Sequence, residues 1–442
     1  MNYKRFVIAT AFLAIVLVTG CTSKKLEESQ EVVTLRWVTD PNPLRQQQIA
    51  LFEKAYPGIK INLDWSSSGL EKILIQIAGG TPPDLMDIHS RAIFNIFAEK
   101  KVMLDLTPYC EKYKVDLEDF WPQCKPWMYH QGKVYAFPTN AADFVLFYNK
   151  RLFDEAGVSY PDGSWTWKDM LEAAKKLTKI DPVSKKYRQF GILWEYPDIL
   201  IWQNGGSKYT PDGRKCIINS PEAKEAVRFL YDLRFKHHVM PMQAEMQSLA
   251  SETGWGQGGI NLFAAGSIAM FPVGRWAIIQ YRRCKDLDWD IAPLPRRKKK
   301  ATLFVTRTTA ISRTCKHPEE AFKFLLFLRS REYNELISRS GDSLPACMSI
   351  AKSDIFLYDP THPKETNNKL YLDEMKYARN IETSPYVSDL EVGRIEKYEY
   401  DRMWAGMQTP EETLDNIAKK INALIEKGEK LNRNVRVGIF YR

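Results

Sequence analysis

Aromatic rings beside polar side chains are the residues of this sequence best suited to binding a ligand. The chain of 442 residues contains 12 tryptophans and 21 tyrosines, and a flat ring either stacks on a ligand or packs in a core. The candidates, which stand at predicted strand ends or turns, are Trp37, Asp87, His89, Trp202, Trp255 and Trp276. For each single tryptophan, packing in the core or at the surface remains the alternative.

Motifs of enzymes, nucleotide sites and metal sites are mostly absent from the sequence. It has no GxxxxGKS/T phosphate loop, no GxSxG elbow and no HExxH motif, and its six histidines are not at ligand spacing. Gly254–Gly259 formally fits GxGxxG, but no apolar strand precedes it and Trp255 lies inside the turn. We interpret it as a loop that brings Trp255 to a ligand, with a plain surface loop as the alternative. The sequence therefore predicts neither an enzyme nor a bound metal or cofactor.

Length and composition are those of an ordinary folded protein. At about 150 residues per domain, 442 residues allow two or three domains. Apolar residues make up 44% and charged residues 26% of the chain, which excludes disorder, collagen and coiled coil. The formal charge of +9 comes from 63 basic and 54 acidic residues, an excess too dilute to indicate nucleic acid as a partner.

The first residues have the order of an export signal. Two basic residues precede an apolar run from Phe6 to Thr19, which fits a signal peptide and is shorter than the roughly 20 residues of a membrane span. The run leads into Leu17-Val18-Thr19-Gly20-Cys21, which resembles the lipobox of bacterial lipoproteins. We predict a signal peptide over 1–20, a lipidated Cys21 with a tether over 21–31, and a protein anchored to the cell envelope by lipid alone. An ordinary signal peptide with a chance cysteine is the alternative.

Export makes disulfides available to the six remaining cysteines. These are Cys110, Cys124, Cys216, Cys284, Cys315 and Cys347, which allow 15 pairings. None of them forms CxxC, which argues against zinc. Cys110 and Cys124 are the closest pair in sequence, and a bridge between them is left open.

Strand and helix patterns alternate along the first part of the chain. Short apolar strands are predicted at 32–38, 59–64 and 85–88, with helices at 44–56 and 70–78 between them. This βαβαβ order predicts a mainly parallel sheet with helices on both faces.

Ligands meet such a sheet outside the carboxyl ends of its strands. Trp37 ends the first predicted strand, and Asp87 and His89 lie at the end of the third. We therefore expect these three side chains at a binding site. Further along the chain, capping patterns at Thr166 and Thr409 predict the starts of two helices.

Short motifs follow one another in a characteristic order along about residues 32–430. They are LFEKAYPGI (51–59), GTPPDL (80–85), VYAFP (134–138), LFYNKRLF (146–153), WTWKD (165–169), FAAGSIAM (263–270), GRW (274–276), TAIS (309–312) and PEEAFKFL (318–325). Together they resemble the extracellular solute-binding proteins (family 1) of sugar ABC importers, the broad group of the maltose-binding proteins. The basic run Arg296–Lys300 and the sequence after Ser340 depart from that pattern.

The resemblance implies an α/β, two-lobed fold like that of periplasmic binding proteins. Each lobe would be a mainly parallel sheet flanked by helices, and about three crossings of the chain would form a hinge at the ligand cleft. One lobe would contain 32–140 and 304–346, and the other 141–303 and 347–442. Asn140 and Asp143 would lie at the first crossing and Arg307 at the second, where they would face the cleft.

The function that the resemblance implies is capture of a carbohydrate and its delivery to the permease subunits of an ABC importer, by a monomer without a cofactor. Sugars present apolar C–H faces ringed by hydroxyls, which aromatic rings and Asp, Asn or Arg side chains satisfy. The alternatives are a binding protein for a glycerol-phosphate-type ester, a sensor lipoprotein and an exported carbohydrate-active enzyme. The basic run Arg296–Lys300 is either a solvated loop or a contact for anionic lipid or the importer.

Overall fold

The computed structural model describes residues 32–65, 70–249, 258–363 and 365–439. The predictions for the signal peptide, for Cys21 and for Trp255 lie outside these residues. Within the described ranges, none of the helices combines the length and the apolar character that crossing a bilayer requires.

Strands and helices alternate along residues 33–99, as predicted for the first part of the chain, and later in the chain several strands or several helices follow one another. The strands are β1 (Val33–Val38), β2 (Ile59–Asp64), β3 (Leu85–Ile88), β4 (Tyr129–His130), β5 (Lys133–Val134), β6 (Ala136–Pro138), β7 (Ala142–Asn149), β8 (Lys179–Ile180), β9 (Tyr187–Gln189), β10 (Met270–Gly274), β11 (Trp289–Ala292), β12 (Thr302–Val305), β13 (Thr308–Ile311) and β14 (Ala378–Arg379).

The α-helices are α1 (Arg45–Ala55), α2 (Leu70–Ala78), α3 (Arg91–Glu99), α4 (Thr107–Lys112), α5 (Lys150–Ala156), α6 (Trp167–Leu177), α7 (Pro197–Gln203), α8 (Pro221–Phe235), α9 (Gln243–Leu249), α10 (Gly259–Ala264), α11 (Ile278–Tyr281), α12 (Pro318–Phe327), α13 (Arg331–Ser340), α14 (Met348–Ala351), α15 (Asp354–Leu357), α16 (Lys369–Glu374), α17 (Asp389–Trp404) and α18 (Pro410–Ile439). Short 3₁₀ helices lie at Pro122–Trp127, Arg275–Ala277 and Met375–Tyr377.

The first sheet contains the predicted βαβαβ unit and has the strand order β2-β1-β3-β13-β6. Strand β1 runs parallel to β2 and β3, because α1 and α2 carry the chain back between them. Strand β13 then enters antiparallel between β3 and β6. The carboxyl ends of β1 and β3 therefore share one edge of the sheet, next to the start of β13.

The second sheet is centred on β7 and has the order β10-β7-β12-β14, with β11 also paired to β7. Strands β10, β11 and β12 all run antiparallel to β7, and only the β12–β14 pair in this sheet is parallel. The expected mainly parallel character therefore holds for the β1–β2–β3 unit and not for this sheet. The reason is that β10, β11 and β12 each enter the sheet from the side of the carboxyl end of β7 and run toward its start.

The chain passes between the two sheets where strands of one follow directly on strands of the other. Strand β6 of the first sheet is followed by β7 of the second, and β12 of the second by β13 of the first. A further connection lies near Leu344, which pairs with Ala141. These connections lie near the expected crossings, and the lobe limits derived from the resemblance stay a prediction.

Local sequence signals explain several helix starts. Thr166 caps α6 in a capping box with Asp169, as predicted. Thr409 and Glu412 exchange the same two hydrogen bonds at the start of α18. The six cysteines of the described residues are free thiols, so the bridge left open between Cys110 and Cys124 is not formed.

Candidate functional site

A cavity of about 420 Å³ lies between the first and second sheets, and we call it the proximal cavity. Its volume is within the range of pockets that enclose small ligands, about 300–1,000 Å³. The lining residues are Asp40, Asn42, His89, Asn140, Ala142, Phe144, Tyr196, Ile260, Trp276, Val305, Thr306, Arg307, Asp342 and Ser343. They come from both sheets and from the residues that cross between them.

One side of the proximal cavity is polar and is formed by loops at the carboxyl ends of first-sheet strands. Asp40 and Asn42 follow β1, and His89 follows β3. Parallel neighbours end at the same edge of a sheet, which brings these loops together. Asn42 Nδ2 donates to Asp342 Oδ1 at 3.1 Å, and this bond fixes the β1 loop against the segment after α13.

The opposite side of the proximal cavity is aromatic. The Trp276 ring is half-buried and meets the edge of Phe144 at a centroid distance of 5.4 Å, and Phe144 meets Tyr196 at 4.8 Å. Gly274 permits this position of the indole, because a Cβ there would lie 1.9 Å from Trp276 Cζ3. Adjoining rings that face carboxylate and amide groups suit a ligand with apolar faces and several hydroxyls.

Asn140 connects the crossing segments at the base of the proximal cavity. Its Oδ1 accepts a hydrogen bond from the backbone N–H of Arg307 at 2.8 Å, and its Nδ2 donates to Ser343 Oγ at 3.1 Å. The Thr306 hydroxyl donates to the backbone carbonyl oxygen of Asn140 at 2.6 Å. One side chain therefore joins all three connections between the sheets.

Arg307 is buried at the cavity wall and bonded on several sides. Its Nε donates to Thr139 Oγ1 at 2.9 Å and lies 3.3 Å from Asp87 Oδ2, while Nη2 donates to the Tyr333 hydroxyl at 2.8 Å. Burial alone would lower the pKa of the guanidinium, but Tyr333 and the carboxylate of Asp87 outweigh burial and raise it. The positive charge is therefore kept and is already balanced by the protein.

The pKa values of Asp40 and His89 on the polar side are both lowered, which leaves Asp40 charged and His89 neutral at neutral pH. Burial alone would raise the pKa of Asp40, but the charges of Arg45 and Arg307 lower it to about 2, so this carboxylate is ionised. Burial lowers the pKa of His89, and the raising effect of Asp87 and Asp40 does not offset it. A neutral imidazole offers one hydrogen-bond donor and one acceptor to a ligand.

Four of the nine predicted ligand-binding residues line the proximal cavity. These are His89, Asn140, Trp276 and Arg307. Trp255 lies outside the described residues. The other four, Trp37, Asp87, Asp143 and Trp202, lie elsewhere.

Trp37 and Asp87 form a buried support beneath the cavity instead of contacting it. The Trp37 side chain is 0% exposed, its Nε1 donates to Asp87 Oδ1 at 2.9 Å, and its ring packs against Phe324 at 5.0 Å. Asp87 also accepts hydrogen bonds from the hydroxyls of Thr39 and Thr309. The Trp37 ring has no open face for a ligand, and the Asp87 carboxylate is occupied in holding Arg307.

Asp143 and Trp202 point away from the proximal cavity for different reasons. Successive side chains of a strand alternate between its faces, so Ala142 and Phe144 of β7 face the cavity and Asp143 faces the other way. Trp202 is a residue of α7 and its side chain is buried. Its Nε1 donates to Glu382 Oε1 at 3.0 Å, and its ring lies 4.8 Å from the Arg379 guanidinium.

Several residues of the cavity were not anticipated from the sequence. Asp40 and Asn42 follow β1 and satisfy the rule on strand ends better than Trp37, because they lie beyond the last strand residue. Asp342 and Ser343 lie after Ser340, where the family motifs give no guide. Tyr196 directly precedes α7, and no local pattern distinguishes it from a packing residue.

Comparison with known proteins decides the family. The family profile described as bacterial extracellular solute-binding protein matches residues 38–335, well over half of the chain. The chain belongs to this family. The expected two-lobed α/β fold of a solute-binding protein is thereby confirmed, and solved structures agree with it. The family is one of exported proteins of ABC transporters.

One solved structure is similar to this solute-binding protein in both sequence and shape. It is an ABC substrate-binding protein of Listeria monocytogenes in complex with cycloalternan, with 30% identity and a TM-score of 0.77 over 89% of this chain and 98% of that one.

Two curated relatives match parts of this solute-binding protein. An arabinooligosaccharide-binding protein of Halalkalibacterium halodurans is 26% identical over 176 residues, 40% of this chain and 38% of the relative. An sn-glycerol-3-phosphate-binding periplasmic protein of Brucella abortus is 25% identical over 165 residues, 34% of this chain and 37% of the relative. These two relatives are therefore named for ligands of two different classes, an oligosaccharide and a phosphate ester.

Proposed function

We propose that this solute-binding protein captures a neutral carbohydrate in the proximal cavity and delivers it to the permease subunits of an ABC importer. One observation carries the proposal. The half-buried Trp276 ring lies on one side of the cavity, and Asp40 and Asn42 lie on the other. A sugar ring has the matching chemistry, since its C–H face covers an indole while its hydroxyls donate to carboxylates and amides.

The charges of the cavity favour a neutral sugar over a phosphate ester. Asp40 is ionised, and the Asp342 carboxylate also lines the cavity. The one arginine of the described lining, Arg307, is already bonded to Thr139, Tyr333 and Asp87. A phosphate needs several donors or cations that converge on it, and here it would meet carboxylates instead.

Titration of tryptophan fluorescence tests the proposal. The ligands are neutral sugars of the gluco-, manno- and arabino-series, together with sn-glycerol 3-phosphate, each at low and at high salt. We expect binding of a neutral sugar whose affinity changes little with salt, because no ligand charge is screened. Binding of glycerol phosphate alone, with an affinity that falls as salt rises, would contradict the proposal.

We also propose that Cys21 anchors the protein to the envelope through lipid. Its support is the order of basic residues, apolar run and lipobox-like Leu17-Val18-Thr19-Gly20-Cys21. We expect wild-type protein to pellet with membranes after cell fractionation and Cys21→Ser protein to stay soluble. A Cys21→Ser protein that still pellets would show that the anchor lies elsewhere.

A further inference from the structure

The basic run Arg296–Lys300 forms a surface loop just before β12. Four of its five side chains are exposed, and Lys300 is half-buried. Strand β12 leads from this loop to Val305, which lines the proximal cavity. A strand advances about 3.3 Å per residue, so the loop and the cavity lie at opposite ends of β12. The run is therefore separate from the proposed sugar site.

The backbone of the basic run is fixed by neighbouring segments. The Arg296 N–H donates to the Trp165 carbonyl oxygen at 3.0 Å. The N–H groups of Lys298 and Lys299 both donate to the carbonyl oxygen of Gln203, at 3.0 and 3.1 Å. The backbone is thus bonded to the rest of the protein while the basic side chains are exposed. These charges are therefore held at one place on the surface, which a loosely solvated loop would not do.

Two of the five cations are paired with carboxylates of the protein. Arg297 Nη2 lies 2.6 Å from Glu225 Oε1, and Lys300 Nζ lies 3.3 Å from Glu374 Oε1. The Lys300 ammonium also lies 5.3 Å from the centre of the Tyr377 ring, whose face attracts cations. These two side chains are therefore already occupied within the protein.

The other three cations of the run form no ion pair with a carboxylate in the part of the chain that the structure describes. Exposed Lys376 joins them from another segment, because its Nζ lies 5.1 Å from the same Tyr377 ring. We call these four side chains the basic surface: Arg296, Lys298, Lys299 and Lys376. Like charges held close together repel one another and destabilise the folded chain. A fixed loop that keeps them side by side indicates a partner of negative charge.

The chemistry of the basic surface fits an extended anionic surface better than a protein partner. Interfaces between proteins have a core in which aromatic residues are enriched, surrounded by a polar rim. The run itself has no apolar residue, and Leu294 and Pro295 before it are buried. The attraction of lysine and arginine to anionic lipid headgroups needs neither a cavity nor an apolar side chain.

The predicted lipid anchor would keep the folded chain close to such headgroups. Residues 22–31, predicted as a tether, span at most about 35 Å when fully extended. We propose that the basic surface binds anionic headgroups of the membrane and so orients the anchored protein. This contact goes beyond sugar capture and does not involve the proximal cavity.

Sedimentation with lipid vesicles tests this inference. The protein used is the chain from residue 21 with Cys21→Ser, which contains every described element and carries no lipid of its own. We expect it to bind vesicles that contain phosphatidylglycerol at low salt, to dissociate from them as salt rises, and not to bind pure phosphatidylcholine. Lys298→Glu/Lys299→Glu should bind the anionic vesicles at least about tenfold more weakly.

Lys100→Glu/Lys101→Glu is the matched control for this double variant. These adjacent lysines are also exposed, lie just after α3, and their replacement makes the same change in net charge. The control should bind anionic vesicles like the parent protein. Both double variants should bind sugar normally, which shows that each of them is folded.

The outcomes separate this inference from the proposed function. Failure of the parent protein to bind anionic vesicles, or equal losses in the two double variants, would overturn the membrane contact while sugar binding stays intact. A Lys298→Glu/Lys299→Glu protein that binds vesicles normally but supports less uptake would overturn it too, since the run would then contact the importer. A parent protein that binds anionic vesicles but no sugar would contradict the proposed function alone.

Discussion

The side-chain oxygen of Asn140 accepts a hydrogen bond from the backbone N–H of Arg307 at 2.8 Å, across 167 residues of sequence. The same amide donates to Ser343, so the three connections between the sheets share one polar side chain beside the ligand cavity. Domain closure in proteins of this architecture bends such connections. The Asn140 amide, which lies at the base of the proximal cavity, is therefore also part of the hinge.

Loss of the Asn140 amide should destabilise the fold and weaken ligand binding together. In Asn140→Ala the Arg307 N–H is left without this acceptor in a buried place, which costs about 1–3 kcal/mol of unfolding free energy. Asn219→Ala is the control, because its amide bonds Asp415 at an exposed site at 2.9 Å. Denaturant unfolding measures both variants, and equal losses in the two would contradict the role given to Asn140.

Removal of the Trp276 ring should weaken sugar binding with little effect on folding. An indole that stacks on a ligand contributes about 1–3 kcal/mol to binding. Trp65→Ala is a matched control, because that ring is 54% exposed and outside the proximal cavity. Calorimetric titration of the two variants with the same sugar should show a loss only for Trp276→Ala. Unchanged affinity in a folded Trp276→Ala protein would mean that this ring does not contact the sugar.

A single methyl group at Gly274 should have nearly the effect of removing the Trp276 ring. The added Cβ would lie 1.9 Å from Trp276 Cζ3, so the indole must leave its position. Gly163→Ala is the control, because a Cβ there would meet only Pro293, at 3.9 Å. We expect Gly274→Ala to bind sugar at least about tenfold more weakly and Gly163→Ala to bind normally, by the same titration. Normal binding by Gly274→Ala would mean that the ring is not held as described.

Asp143 should make the folded state less stable as pH rises. Burial raises the pKa of this carboxyl group well above its usual value, and the charge of Glu374 adds to the effect. Above about pH 4 the unfolded chain ionises Asp143 while the folded chain keeps its proton, so folding costs up to about 1.4 kcal/mol more for each pH unit until the folded pKa is passed. Asparagine is neutral at every pH and avoids this cost.

Thermal unfolding of Asp143→Asn at several pH values measures this effect. We expect the variant to be more stable than wild type at pH 8, with a difference that shrinks toward pH 4. The exposed Asp286→Asn should show no such pH-dependent gain. A difference that is constant with pH would mean that Asp143 is already ionised in the folded protein.

The sequence predicted the βαβαβ unit and the family well, because both depend on local patterns. Apolar runs and capping residues such as Thr166 determine elements over a few residues. Trp276 was also predictable, since Gly274 beside it signals a close approach of the chain. The position of His89 was predictable because ligands meet such a sheet at the carboxyl ends of its strands, and His89 follows β3.

The remaining site residues depend on relationships that no local pattern contains. The direction of Asp143 depends on which face of β7 meets the other sheet, and a shift of one residue reverses it. Trp37 and Trp202 are buried because Phe324 and Glu382, which lie far away in sequence, cover them. Asp342 reaches the cavity only because the third connection returns beside Asn42.

A crystal structure of the protein grown with its tightest-binding neutral oligosaccharide tests the central claim most directly. We expect one sugar ring against Trp276, with hydroxyls within hydrogen-bond distance of Asp40 and Asn42, in the space between the two sheets. Sugar bound only outside the proximal cavity, with no ring near Trp276 and no hydroxyl near Asp40, would contradict the account.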